Sequence, residues 1–416
     1  MLLRLALASL GARALTASLT VLAIALSVAL FLGVEKVRTG AKESFAGTIS
    51  GTDLIVGARS GAVQLLLYSV FRIGNATNNI TWQSYQEIAA RPEVDWIVPI
   101  SLGDSHRQFR VMGTTAAFFE RYKYRNRQAL QIAEGAVMDD LFDAVIGADV
   151  AKALGYAVGT QIVVSHGIRS FSHHDELPFR VSGILAKTGT PVDRTVIVSL
   201  EAIEAIHVDW RSGARIPGQI TPEAEIRAMD LTPAAITAAL VGVESRMQIF
   251  GLQRMINTYG QEPLLAILPG VALTELWGTI GYAEQALLAV SGMVVVTALV
   301  GMMATIFASL AARRREIAIL RAMGAGPRAV LSLLMLEAVL MALAGAVLGL
   351  GLLYATLAVA RPMVDATFGL WLPLDAPSAR EWAMLAGVVA AGAIVSVLPA
   401  LRAYRMSLSD GMMVRS

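Results

Sequence analysis

Four long, nearly uncharged apolar runs constrain this chain more than any other feature. A helix needs about 20 apolar residues to cross the hydrocarbon core of a bilayer. Four segments meet that requirement: Leu15–Val34, Ala286–Leu310, Ala329–Ala360 and Trp382–Ala403. The first carries no charge, the third has a single acid, Glu337, near its start, and the fourth has Pro399 near its end. The chain is therefore expected to be an α+β membrane protein: four transmembrane helices, with a large mixed α/β extracytoplasmic domain inserted between helices 1 and 2. Composition agrees, because 55% of the residues are hydrophobic and 16% are charged, against about 25% charged in soluble domains. The net charge of +2 is too small to draw a nucleic-acid partner, and the absence of cysteine excludes a disulfide framework, thiol catalysis and Cys-based metal sites.

The first run is longer than the 7–15 residue apolar region of a signal peptide, and no small-x-small cleavage pattern follows it, so it reads as a retained anchor. Orientation follows from arginines at the ends of the runs. Arg4 and Arg13 precede the first run, Arg313, Arg314, Arg315, Arg321 and Arg328 lie between the second and third, and Arg402, Arg405 and Arg415 follow the fourth. Four crossings put all three groups on one side, so the termini and the 311–328 loop are expected in the cytoplasm. Residues 35–285 and the charge-balanced 361–381 loop are then expected outside. The divisions are 1–34 (cytoplasmic N-terminus and helix 1), 35–285 (stalk helices and extracytoplasmic core) and 286–416 (helices 2–4, the 311–328 loop and a cytoplasmic C-terminus). Gly345 and Gly349 form a G-x-x-x-G in the third run. It reads either as a close helix contact or as the ordinary glycine content of a membrane helix.

The insert alternates strand and helix patterns. Strands are expected at Asp53–Val56, Trp96–Ile100, Phe109–Met112, Ala144–Ile146, Gln161–Ser165, Phe179–Ile184 and Thr195–Val198. Helices are expected at Thr81–Ala90 and Ala148–Leu154, the second with Asp149 in its first turn and Gly155 as its C-terminal cap, and another α–β unit at 221–246, opened by Pro222 and Glu223. Val34–Phe45 and Val271–Gln285 read as helical continuations of the first and second spans, a stalk carrying the domain. The apolar run within Ser60–Ile73 is either core or an exposed patch for a lipid or partner. No phosphate-binding loop, dinucleotide fingerprint, zinc-protease helix or serine nucleophile elbow occurs. The chain is thus expected to be non-catalytic and to draw on energy from elsewhere.

The loop between the second and third runs reads Ala312-Arg313-Arg314-Arg315-Glu316-Ile317-Ala318-Ile319-Leu320-Arg321-Ala322-Met323-Gly324-Ala325. Its apolar residues have helical spacing. Gly324 can end such a helix, and Pro327 can open the next. The charges either anchor the helix ends or face a soluble partner. The string resembles the hallmark of the FtsX/MacB-like permeases of ABC transporters, close to R-x-x-E-I-x-x-L-R-A-x-G-A. The insert is similar to the MacB-type periplasmic core domain through Val111–Thr115, Val145–Ala151, Leu154-Gly155 with Gly159, and Phe179–Leu185, and Pro399–Ala403 resembles the close of the family's last helix.

The resemblance implies a type VII, mechanotransmission permease in the bacterial inner membrane. It implies two copies of a separate ABC ATPase that hold ATP and Mg, a second permease copy that is identical in the simplest case, and room for a periplasmic adaptor or lipoprotein partner. By carry-over, Arg313, Arg314, Arg315, Glu316, Ile317, Leu320, Arg321 and Gly324 form the ATPase-coupling surface. The implied work is export or the extraction of lipoproteins or lipids. The alternative is an FtsX-like regulatory subunit that activates an extracytoplasmic hydrolase without transport. No cofactor is expected in this chain itself, except that His173, His174, Asp175 and Glu176 are ligand-type residues that could hold zinc, or else form a plain solvated loop.

Overall fold

The computed structural model describes residues 2–167, 176–211, 214–216, 220–312, 318–319, 321–368 and 374–405. The helices are α1 (Leu2–Ala12), α2 (Ala14–Thr48), α3 (Ala62–Ser69), α4 (Trp82–Ala89), α5 (Ala117–Arg121), α6 (Ala148–Leu154), α7 (Leu200–His207), α8 (Glu223–Ile226), α9 (Ile249–Asn257), α10 (Pro269–Ala312), α11 (Pro327–Phe368) and α12 (Ala379–Arg405). The chain divides into a helical unit (Met1–Gly40, Gly281–Met363, Leu372–Ser416) and a second unit (Ala41–Ile280, Val364–Trp371).

Four helices are long and apolar enough to cross a membrane, and they include the four apolar runs. Helix α2 has 35 residues and α10 has 44. At about 1.5 Å per residue these are roughly 52 and 66 Å long, well beyond the ~30 Å hydrocarbon core. The stalk segments are thus continuous with the spans and not separate helices. Helix α11 is the innermost of the four, with 50% of its apolar window buried against 28–33% for the others. Its glycines explain part of this. A Cβ on Gly345 would lie 2.5 Å from Ile24 Cγ2, and one on Gly349 would lie 2.7 Å from the Ala25 carbonyl oxygen and 2.8 Å from Val28 Cβ. The two glycines therefore seat α2 directly on α11, the kind of close approach that lipid-embedded helices use. Helix α12 approaches α11 in the same way, through Gly392 against Ala342.

The second unit is built on one mixed sheet of eleven strands. In chain order these are β1 (Leu54–Ala58), β2 (Val94–His106), β3 (Phe109–Thr114), β4 (Ile132–Gly135), β5 (Asp143–Ile146), β6 (Gln161–Ile162), β7 (Ser165–His166), β8 (Phe179–Leu185), β9 (Thr195–Ser199), β10 (Ala238–Val243) and β11 (Leu264–Ile267). Their order across the sheet is β11-β1-β10-β2-β3-β9-β5-β8-β4, with β7 paired to β2 and β6 to β8. The β3–β9 and β5–β8 pairs are parallel and the other pairs are antiparallel.

Side chains alternate between faces with period two along a strand, and the cores follow that alternation. Met112, Val145, Ile197, Ile55 and Leu240 enter one cluster with α3, α5 and the start of α10. Their neighbours Val111, Ala144, Ile146, Val196 and Val198 enter a second cluster with α6 and α7. Leu54, Val56, Ala239 and Val241 enter a third with α4 and α9. The run Thr195–Val198 is buried throughout because both of its faces are covered. The apolar run in 60–73 is core: Leu65, Leu66, Tyr68, Val70 and Phe71 are buried.

Local signals account for several boundaries. Gly155 ends α6 at a left-handed φ of 67°. Thr81 and Ser199 cap α4 and α7 by accepting from the backbone N–H of Ser84 and Ala202. Two expectations shift, and one helix was not expected. The strand at 161–165 is split into β6 and β7. The helix opened by Pro222 is a single turn, α8. Helix α1 precedes the first span, where eleven residues interrupted by Arg4 give too short an apolar run to stand out.

Candidate functional site

In the helical unit, the polar residues that matter lie at the two ends of the apolar part of α2. At the first end, Glu337 of α11 is 1% exposed. It accepts from Arg13 Nη2 at 2.8 Å and from the Ser9 hydroxyl. A carboxylate on a membrane-length helix requires such partners. Arg13 sits at the α1–α2 junction, so this contact fixes that junction to α11. The sequence reading gave Arg13 only a topological role, because its partner lies 324 positions away.

Directly after the apolar stretch, still within α2, Glu35 is buried and takes a two-pronged hydrogen bond from Arg38, at 3.0 and 2.9 Å. Arg380 of α12 reaches the same carboxylate at 3.1 Å, and Arg38 also lies 3.5 Å from Glu284 of α10. The adjacent Lys36 is 3.7 Å from Glu381 of α12 and donates to the Asp375 carbonyl, which also accepts from the Tyr354 hydroxyl of α11. Glu381 has a second task. It accepts from the Ser378 N–H while Ser378 Oγ accepts from the Glu381 N–H, a capping box that starts α12. Glu35, Lys36 and Arg38 of α2 thus form one cluster that reaches α12 directly, α10 through Arg38 and α11 through the shared Asp375 carbonyl. The clue in the sequence was a Glu-Lys pair directly after an uncharged span, which reads equally well as an interfacial anchor.

The coupling surface expected from the 311–328 loop is described only in part. Arg313, Arg314, Arg315, Glu316, Ile317 and Leu320 lie outside the described residues. Residues 318–319 and 321–322 are helical. Ile319 and Met323, one turn apart, are exposed apolar side chains. Gly324 follows at φ 98° and donates its N–H to the Arg321 carbonyl, and Pro327 opens α11. The described helical residues, closed by a left-handed glycine, therefore present apolar side chains outward, a few positions after the arginine run in sequence.

In the sheet domain, His173, His174 and Asp175 lie outside the described residues, and Glu176 is exposed. The fold assembles a different group. Asp104 on β2 stands directly opposite His166 on β7 in the antiparallel register. His207, in the last turn of α7, completes the group. His166 Nδ1 is 3.0 Å from His207 Nε2 and 3.4 Å from Asp104 Oδ1, and His207 Nε2 is 3.6 Å from that same oxygen. The Asp104 carboxylate holds the His166 pKa above its ordinary value. Trp210 packs beside both imidazoles, with ring centroids 5.4 and 6.1 Å away. His106 is near in sequence but separately engaged, with Nδ1 on the Val163 carbonyl and Nε2 on the Tyr156 hydroxyl, and burial lowers its pKa.

These features define a polytopic α+β membrane protein in which the first span is clasped at both of its ends, with a large sheet domain inserted after that span. Residues 17–240 match the family described as MacB-like periplasmic core domain, and residues 288–408 match FtsX-like permease C-terminal. The chain belongs to the FtsX/MacB-like permeases of ABC transporters, and it is a permease subunit. Among solved structures it is similar to the periplasmic region of MacB from Actinobacillus actinomycetemcomitans, with 10% identity, a TM-score of 0.34, and coverage of 55% of this chain and 94% of that one. It is also similar to the extracellular domain of the noncanonic ABC-type transporter YknZ from Gram-positive bacteria, with 13% identity, a TM-score of 0.30, and coverage of 52% and 99%. No curated protein matches the sequence.

Proposed function

We propose that this permease carries the work of a separate cytoplasmic ATPase to its extracytoplasmic sheet domain, in export or in the extraction of a lipoprotein or lipid. The observation that carries this reading is the pair of uninterrupted helices α2 and α10. Each is a membrane-length apolar stretch continuous with a further helical segment that leads into or out of the sheet domain. Each runs as one helix straight through its glycines, Gly33, Gly40 and Gly47 in α2 and Gly278 and Gly281 among those of α10, and a continuous helix transmits a push along its axis where a loop would absorb it. The cluster around Glu35 and Lys36 supports the same reading, because it makes α2 move together with α10 and α12.

Arginine placement supports an orientation with the termini and the 311–328 loop in the cytoplasm. The exposed Ile319 and Met323, a few positions after the arginine run in sequence, suit docking in a groove of the ATPase. The assembly has two ATPase copies and two permease copies, and ATP and Mg are held by the ATPase.

The test is co-purification of the permease with its native ATPase. Glu316→Lys is expected to abolish both co-purification and permease-stimulated ATP turnover while leaving membrane insertion intact. If both survive the substitution, the coupling assignment fails.

A further inference from the structure

We propose that Asp104, His166 and His207 form a binding site for a divalent transition-metal ion of the zinc type, on the sheet domain. The first support is geometric. Three ligands bound to one tetrahedral ion at about 2.0–2.1 Å stand roughly 3.3–3.4 Å from one another. The three candidate ligand atoms are separated by 3.0, 3.4 and 3.6 Å, so they bracket that edge length. They need little rearrangement to surround one ion.

The second support is the carboxylate. Asp104 is 3% exposed, and its Oδ1 receives no hydrogen bond. A buried charged oxygen without a donor is costly, and among the described residues its ion-pair contacts are the two histidines. A cation between the three groups would satisfy the oxygen fully.

The third support is the tautomer of His207. Its Nδ1 lies 2.7 Å from the Ile203 carbonyl oxygen. A carbonyl can only accept, so Nδ1 carries a proton, and Nε2, which faces Asp104 and His166, is the nitrogen available to ligate. Metal-binding histidines are oriented by this kind of backbone contact. Both nitrogens of the neighbouring His106 are engaged elsewhere, so among the described residues the set is two imidazoles and one carboxylate. That donor set suits zinc and its first-row neighbours and disfavours calcium or magnesium, which take oxygen ligands.

The ligands come from β2, β7 and the end of α7, so a bound ion would staple the end of a helix to two strands. His166 is the most exposed ligand, with 37% of its side chain accessible. It leaves a coordination position open to water or to a donor from a partner. This inference is independent of the proposed coupling function and can fail without affecting it.

The experiment is a zinc titration of the detergent-solubilised full chain, stripped of metal with a chelator and then competed against a chromogenic chelator. Thermal unfolding is followed in parallel. One equivalent bound at micromolar affinity or tighter, with a rise in Tm, is expected. Asp104→Asn and His207→Ala should each weaken binding by roughly tenfold or more. His173→Ala combined with His174→Ala should leave it unchanged. Cobalt(II) in place of zinc should give the intense visible absorption of a low-coordinate site. The proposal is overturned if the unmutated chain binds no zinc, which would make the trio a proton-sharing cluster only. It is equally overturned if binding survives Asp104→Asn and His207→Ala but is lost in the His173/His174 variant.

Discussion

The two halves of this chain are held together by opposite means. In the sheet domain, adjacency comes from apolar side chains: neighbouring residues on β1, β3, β5, β9 and β10 feed different clusters on the two faces. Its ion pairs range from exposed ones, as with Arg227 against Asp140 and Glu223, to ones with a buried carboxylate, as with Arg180 against Asp143 and Lys187 against Asp193. In the helical unit, contact comes from removing side chains, at Gly345, Gly349 and Gly392, and from buried charge, at Glu35, Lys36, Glu337 and Glu381. The solvent explains the contrast. Water drives apolar surface together, whereas lipid is as apolar as the helices and cannot, so packing and polar contacts set the arrangement there. Exposed pairs such as Arg227 with Asp140 are therefore incidental, whereas the buried charges of the helical unit are structural.

Three substitutions probe that contrast. The largest effect is expected from Ile197→Ala, in the strand covered on both faces. It should cost about 2–5 kcal/mol, read as a lower unfolding temperature of the sheet domain, and a loss under 1 kcal/mol would mean this core is loosely packed. Next is Glu35→Ala, which leaves Arg38 and Arg380 facing each other without their shared carboxylate. Both guanidinium groups retain some access to water, so the expected cost is about 1–3 kcal/mol, seen as earlier unfolding of the detergent-solubilised chain. An unchanged Tm would make the buried ions in the helical unit as incidental as the surface pairs.

The smallest effect is expected from Arg227→Ala, at about 0–1 kcal/mol for an exposed pair. Arg227 holds Asp140 below the usual carboxylate range. The contribution is therefore fully present above the unfolded value of about 4 and is lost as pH falls through the lowered folded value. Comparing acid unfolding of the two proteins should show the gap closing in acid, whereas a gap that widened there would reverse the assignment.

The parts of the fold that were legible in the sequence are those set by local rules. The four spans follow from length and apolarity, most sheet strands from β-branched runs, and the ends of α6 and the 318–323 turn from Gly155 and Gly324. The candidate sites are less legible because they depend on distant register. His173-His174-Asp175-Glu176 draws the eye because its ligand types are contiguous. Asp104, His166 and His207 are dispersed, and they meet only because β7 pairs with β2 at one specific residue and α7 ends beside that pair. Arg13 and Glu35 were visible as charges at span ends, but a charge in that position reads as a membrane anchor until its partner is placed. A hint was available in Ser378-Ala-Arg-Glu381, a capping box whose acid is also within reach of Lys36.

The glycine seats of α11 have a mechanical corollary. Ile24, Ala25 and Val28 occupy notches that exist only because two residues lack a side chain. A small slide of α2 along α11 would drive these groups against full-sized residues, and one helical turn, about 5.4 Å, beyond the glycine pair the facing positions are Met341 and Leu353. The contact therefore behaves as a single keyed seat and not as a greased bearing. Strokes must be taken by α2 and α11 moving as one body.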